Sequence, residues 1–274
     1  MARFVDTHCH LDFHDFDHDR DQVLARAWKN GLEMILNPGI DLQSSQAALG
    51  LSEVHERVFV AVGVHPNSAL TWNENSHAAE PRDSLRILAR HPKVVAIGEI
   101  GLDHYRQHAP HDLQTIVFQA QLDLATELSL PVIIHSREAG ADVLAILRDW
   151  WTELKTRNSA LVSRPGVLHS YSDRQDLASQ AIKMNFYIGI TGPVTYKNAA
   201  DVRQVVQATP LENLLIETDA PFLPPQSQRG QRNEPAYVHL VAEKIAELHQ
   251  QSLEQVAEVT TQNAMRLFKW KIRN

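Results

Sequence analysis

The stretch Asp6-Thr-His-Cys-His-Leu-Asp12 puts two imidazoles at positions 8 and 10. In extended backbone, residues two apart share a face, so His8 and His10 point together while Cys9 turns away. Cys9 therefore reads as a small buried residue. Comparable polar endings follow other short apolar runs: His65 ends VFVAVGVH, Glu99 ends VVAIGE, His135 ends LPVIIH, His169 ends GVLH and Asp219 closes LLIETD. Four imidazoles (His8, His10, His135 and His169) with the carboxylates of Glu99 and Asp219 make a mixed nitrogen–oxygen donor set. That set suits Zn²⁺ or Mn²⁺, whereas sites built for Mg²⁺ or Ca²⁺ favour oxygen alone. Six donors exceed the four of a tetrahedral zinc, leaving room for two ions with a carboxylate between them. Two divalent ions against two carboxylates leave a surplus of about +2, which favours an anionic phosphodiester over a neutral ester. The implied chemistry is metal-assisted hydrolysis.

Residues spread over so much chain meet only if the elements carrying them converge. Eight short apolar runs recur, at Phe4–Val5, Met34–Leu36, Val58–Val64, Val94–Ile97, Val132–Ile134, Val167–Leu168, Phe186–Ile190 and Leu214–Ile216. Amphipathic stretches lie between them. Asp19–Asn30 begins with acids and ends in Lys-Asn-Gly, as helices prefer. Asp112–Leu128 spaces Ile116, Phe118, Leu122, Leu124, Ala125 and Leu128 at helical intervals. Alternating buried strands and helices imply a parallel sheet, and eight units imply a (β/α)₈ TIM barrel spanning 1–274 as one domain. Two further helices are expected between Ala236 and Phe268. Pro221 to Pro235 reads as a structured loop. An open doubly wound nucleotide-binding sheet is the rival, but no glycine-rich fingerprint follows the first run. In a barrel the strand ends converge on the face where such enzymes place their chemistry.

A net charge of −7 over 274 residues argues against a broad basic face for coating duplex nucleic acid, while leaving room for a local positive site that grips a strand end. No apolar run approaches the ~20 residues of a membrane helix, and with no basic stretch leading into an apolar run at the start, no secretory signal is expected. With a single cysteine, a cytoplasmic protein is expected, monomeric, without a membrane or an obligate protein partner. Of the 15 histidines, His14, His18, His55, His77, His91, His104, His108, His111, His239 and His249 lack strand-end placement and read as surface or loop residues.

DTHCHLD, GVHP (63–66), IGEIGLD (97–103), PVIIHSR (131–137), ETDAPFLPP (217–225) and RNEP (232–235) resemble, in order, the motifs of the TatD family of metal-dependent deoxyribonucleases. TGPVTYKNA (191–199) and QNAMRLF (262–268) extend the resemblance over nearly the whole chain. It implies an amidohydrolase-like barrel with two divalent ions, Zn²⁺, Mn²⁺ or Mg²⁺, acting on DNA phosphodiesters as a 3′→5′ exonuclease on single strands. By the same resemblance His8, His10, Glu99 and Asp219 hold one ion, and Glu99, His135 and His169 the other, with Glu99 bridging. His65 matches a histidine near the substrate phosphate. Arg137, and Arg229, Arg232 and Asn233 of the RGQRNEP loop, match positions that meet substrate or shape its pocket. Two departures stand out: HSYSD (169–173) replaces the common HCFSG, and His104-Tyr105 follows EIGLD.

The expected catalytic residues are Asp219, which orients or deprotonates the water, with Glu99 and His65. Glu217 is a candidate support, Asp6 a candidate buttress for a ligand ring, Tyr171 and Tyr196 candidate base-stacking rings, and Arg137 and Lys197 candidate phosphate contacts. The alternatives are hydrolysis of another ester, a lactone, a C–N bond or D-aminoacyl-tRNA, and a non-catalytic binding barrel. Glu at 99, where related C–N hydrolases often carry lysine, counts against the C–N bond.

Overall fold

The computed structural model describes residues 2–72 and 81–270; His77 lies outside them. Each of the eight apolar runs forms one strand: β1 (Phe4–Asp6), β2 (Leu32–Pro38), β3 (Val58–Val62), β4 (Val94–Asp103), β5 (Val132–Arg137), β6 (Gly166–Leu168), β7 (Tyr187–Ile190) and β8 (Leu214–Ile216). They pair in chain order, each with its neighbour in parallel. The seam between β8 and β1 closes just beyond the strands themselves. There Thr7 N–H donates to Ile216 O (3.2 Å), Asp219 N–H to His8 O (2.8 Å) and His10 N–H to Ala220 O (2.8 Å).

Burial on both faces explains why the strands read as unbroken apolar runs. One set of side chains packs outward against the helices. The other set, including Val5, Met34, Phe59, Ile133, Val167 and Leu215, fills the interior with Leu267, Phe268 and Trp270 from the end of the chain. The helices are α1 (Arg20–Lys29), α2 (Leu42–Val54), α3 (Pro81–Leu88), α4 (His111–Leu128), α5 (Gly140–Thr156), α6 (Gln175–Lys183), α7 (Ala200–Ala208), α8 (Val238–His249) and α9 (Leu253–Phe268). The last two are the expected C-terminal pair. Among the described residues no helix is long and apolar enough to cross a membrane.

Two expectations need correction. Ile116 faces solvent, and the buried stripe of α4 runs through Val117 and two glutamines instead. Gln121 exchanges hydrogen bonds with both backbone groups of Val64 (2.7 and 3.0 Å), and Gln114 does the same with Asp103 (2.9 and 3.1 Å). The stripe thus holds the segments that carry His65 and Asp103, work an apolar side chain cannot do. Glu99, in turn, does not end its strand. β4 continues to Asp103, and its pairing with β5 shifts register between Ile97 and Ile100. Gly101 follows at φ +139°, where a Cβ would lie 2.0 Å from His135 O, so only glycine fits. Such irregularities re-aim side chains within a sheet.

Candidate metal centre

The register shift in β4 leaves Glu99 at the middle of the cluster, 3% exposed. Its Oε2 lies 3.4 Å from His8 Nε2 and 3.7 Å from His10 Nε2. Asp219 Oδ1 stands 3.7 Å and 3.5 Å from the same two nitrogens, which are 3.2 Å apart. Donors about 2.0–2.1 Å from one tetrahedral zinc stand about 3.3 Å from each other, so this spacing fits a shared cation. The chemistry of the set agrees, because two imidazole nitrogens and two carboxylate oxygens converge in a buried place. The extended backbone of residues 8–10 supplies the co-facial imidazoles, and Cys9 is buried in the core behind them.

Asp219 adopts φ +56°, a left-handed conformation that Asp tolerates better than most residues. The turn is pinned by Asp219 N–H to His8 O, by Phe222 N–H to Asp219 O (2.8 Å), and by Asn233. The Asn233 amide donates to Thr218 O (2.8 Å) and Phe222 O (2.7 Å) from full burial.

Glu99 Oε1 meets a different neighbourhood. His169 Nε2 is 2.7 Å away, His135 Nδ1 2.8 Å and His65 Nε2 3.5 Å. These imidazoles have carboxylates behind them. Asp103 Oδ2 lies 3.3 Å from His135 Nε2 and accepts from the Asn67 amide (3.1 Å), while Oδ1 takes the N–H of Tyr105 and Arg106. Glu217 Oε1 lies 3.8 Å from His169 Nδ1 and accepts the Ser170 N–H. Gly189 makes room for it, since a Cβ there would sit 2.5 Å from that oxygen. His65 differs from its neighbours: Asn67 N–H donates to its Nδ1 (3.0 Å). A neutral ring that accepts at Nδ1 carries its proton on Nε2, so His65 presents a donor to the site rather than a lone pair.

Burial and mutual repulsion set the charges. Burial opposes ionisation of Glu99, but His169, His65 and His8 outweigh it and hold its carboxyl well below the usual range. Burial and the stacked His169 ring push His8 down to about 4; burial and His135 push His65 down to about 3. At His135 burial is overcome by Asp103 and Glu99, which carry it up to about 9. His10 and His169 also rise against burial, through Asp219 and Glu99 respectively. Burial lifts Glu217 to about 7.

Three sets of donors lie close enough to grip an ion: His8, Glu99 and His169; His8, His10 and Asp219; and His65, Glu99 and His135. All the strand-end residues named from the sequence therefore meet. Asp103 was missed, although it lies four residues after Glu99 in one unbroken run, VVAIGEIGLD, an even spacing that continues its face. The remaining candidates sit apart. Arg137 stacks on Tyr105 (3.9 Å), exposed, and pairs with no carboxylate among the described residues. Arg232 is engaged by Asp19 (2.7 Å) and Glu234 (3.1 Å). Arg229 lies over the Tyr196 ring (4.8 Å), whose hydroxyl donates to Pro224 O. Lys197 is exposed. Tyr171 is unavailable for stacking, because its ring is buried and its hydroxyl donates to Arg174 O (2.6 Å). Asp6 buttresses no imidazole; it accepts from Thr218 N–H and Oγ–H (2.9 and 2.6 Å) and from the His8 backbone. His239 and His249 are half-buried in α8, bonded to the carbonyls of Ala236 and Val206, rather than on loops.

Fold and cluster together define a parallel-barrel hydrolase with a metal-gripping site at the C-terminal strand ends. The profile of the family described as TatD related DNase matches residues 5–269, and the chain belongs to that family. It is 41% identical to the uncharacterized metal-dependent hydrolase YabD of Bacillus subtilis, over 96% of this chain and 98% of the relative. It is 37% identical to the 3'-5' ssDNA/RNA exonuclease TatD of Edwardsiella piscicida, over 93% and 95% respectively. The crystal structure of YjjV, a TatD homolog from Escherichia coli, superposes with a TM-score of 0.87 at 31% identity, over 98% of this chain and 99% of the other. The protein is a metal-dependent hydrolase.

Proposed function

We propose that this hydrolase removes nucleotides from the 3′ end of single-stranded DNA, with two divalent ions sharing Glu99. The observation that carries the reading is the division of Glu99, with Oε2 toward His8 and His10 and Oε1 toward His135 and His169. His8, His10, Glu99 and Asp219 would hold one ion, and Glu99, His135 and His169 the other. When bound, such ions polarise a phosphoryl oxygen and lower the pKa of a water. The exonuclease name of the 37% identical relative supports the substrate and polarity.

The chain's own groups do the rest. Asp219, the more exposed of the two carboxylates at 14%, orients the attacking water and receives its proton. The His65 Nε2–H donates to a phosphate oxygen. Arg137, unneutralised at the end of β5, draws the strand toward the site. Asn233 serves substrate indirectly, by fixing the turn that carries Asp219, and Arg232 by tying the loop beside it to Asp19.

The test is to strip the protein of metal, restore Zn²⁺, Mn²⁺ or Mg²⁺ singly, and follow 5′- and 3′-labelled single-stranded DNA. Stepwise loss from the 3′ end is expected. Intact DNA under every metal, alongside turnover of a lactone, an ester or D-aminoacyl-tRNA, would sink the nuclease reading.

A further inference from the structure

Among the described residues the exposed large side chains besides Phe222 are Val54, Ile87 and Ile116 on helices of the outer ring, Leu70 on the helical turn after β3, and Tyr105, whose ring carries the Arg137 guanidinium. Phe222 is different. It is 50% exposed and sits on the turn that presents Asp219. Its backbone is fixed at both ends, through Phe222 N–H to Asp219 O and the Asn233 amide to Phe222 O. Its ring meets Phe13 edge-to-face at 5.9 Å and His10 at 6.4 Å, and Phe13 itself stacks on His10 at 4.6 Å. A continuous aromatic wall thus begins at a candidate metal ligand and ends in solvent. Exposing a phenyl ring on a pinned turn forgoes the burial that normally holds one.

We infer that Phe222, backed by Phe13, is a stacking platform for the nucleobase attached to the phosphate that the ligand cluster holds. The inference rests on the nuclease reading. The exposed part of the Phe222 ring lies one aromatic contact beyond His10, within a nucleotide's reach of a phosphate held at the ligand cluster. Aromatic stacking accepts any base, because every base has a π-face. The platform therefore makes the site specific for a base-bearing strand end without making it sequence-specific. It also supplies the stacking surface that Tyr171 and Tyr196 do not. Phe13 packs on a ligand ring, so Phe222 is the informative position to change.

The experiment compares two matched single strands, one ending in a normal 3′ nucleotide and one in an abasic tetrahydrofuran residue, with wild-type enzyme, Phe222→Ala and Phe222→Trp. In wild type, kcat/KM is expected to favour the base-bearing end by about tenfold, within the roughly 5- to 150-fold range that base–aromatic stacking supports. Phe222→Ala should bring that ratio close to one, chiefly through KM, and Phe222→Trp should restore it. Elemental analysis should find the same metal content in all three proteins. An unaltered ratio in Phe222→Ala, an equal loss on both strands, or a lowered metal content would overturn the platform while leaving the nuclease reading in place. A wild type that releases nucleotides from neither strand fails the nuclease reading, and the platform falls with it.

Discussion

On the Oε2 side of Glu99, His8, His10 and Asp219 come from the seam where the first strand meets the last, and no carboxylate among the described residues pairs with their outer ring nitrogens, His8 Nδ1 and His10 Nδ1. On the Oε1 side, His135 and His169 come from neighbouring strands, and buried Asp103 and Glu217 stand 3.3 Å and 3.8 Å behind them. The first half is positioned by backbone closure and walled by Phe13 and Phe222. The second is positioned by carboxylates acting on the rings. One half therefore depends on the fold as a whole, and the other on individual side chains.

The most damaging test acts on the group common to both halves. Glu99→Ala should lower kcat/KM on the order of 10³-fold and remove metal from both halves, as read by elemental analysis. Retention of one full equivalent would show that the two halves do not share it. Next in size is Asp103→Asn, which should weaken metal binding about 10- to 100-fold in one class of site only, measured by chelator competition. An equal loss in both classes would break the contrast.

The third test uses pH on the metal-free protein. His135 is held at about 9, above its ordinary 6.5. Its stabilising contribution is present in full below about pH 6.5 and is lost as pH rises through about 9. The melting temperature should fall between pH 7 and 10, and Asp103→Asn should flatten that fall. A melting temperature that rises over this range in wild type would contradict the sign. The smallest effects separate two arginines. Arg232→Ala should cost about 1 kcal/mol of stability, visible in denaturant melts, with little change in KM. Arg137→Ala should leave stability alone and raise KM for DNA a few-fold, an effect that salt erases.

The barrel was legible because buried parallel strands leave short apolar runs, and every one of the eight formed a strand. His8 and His10 were legible because alternation in extended backbone is a strict rule. Glu99 was found for an incomplete reason: its run goes on to Asp103, and a register shift set by β5, which local pattern does not encode, turns it inward. Asp6 looked like a ring buttress, yet its partner, Thr218, lies 212 residues away. Ile116 misled because apolar spacing hides the polar work of Gln114 and Gln121 on the same helix.

The β1–β8 seam has a consequence in time. Thr7 bonds to Ile216 across 209 residues, so the first ligands to be synthesised wait for the last strand before the barrel can shut. His135 and His169 meet far earlier. On a growing chain the carboxylate-supported half can assemble first, and the seam half arrives with the closing of the molecule. A metal ion gripped between His8, His10 and Asp219 would act as a latch across that seam, tying the first strand to the last.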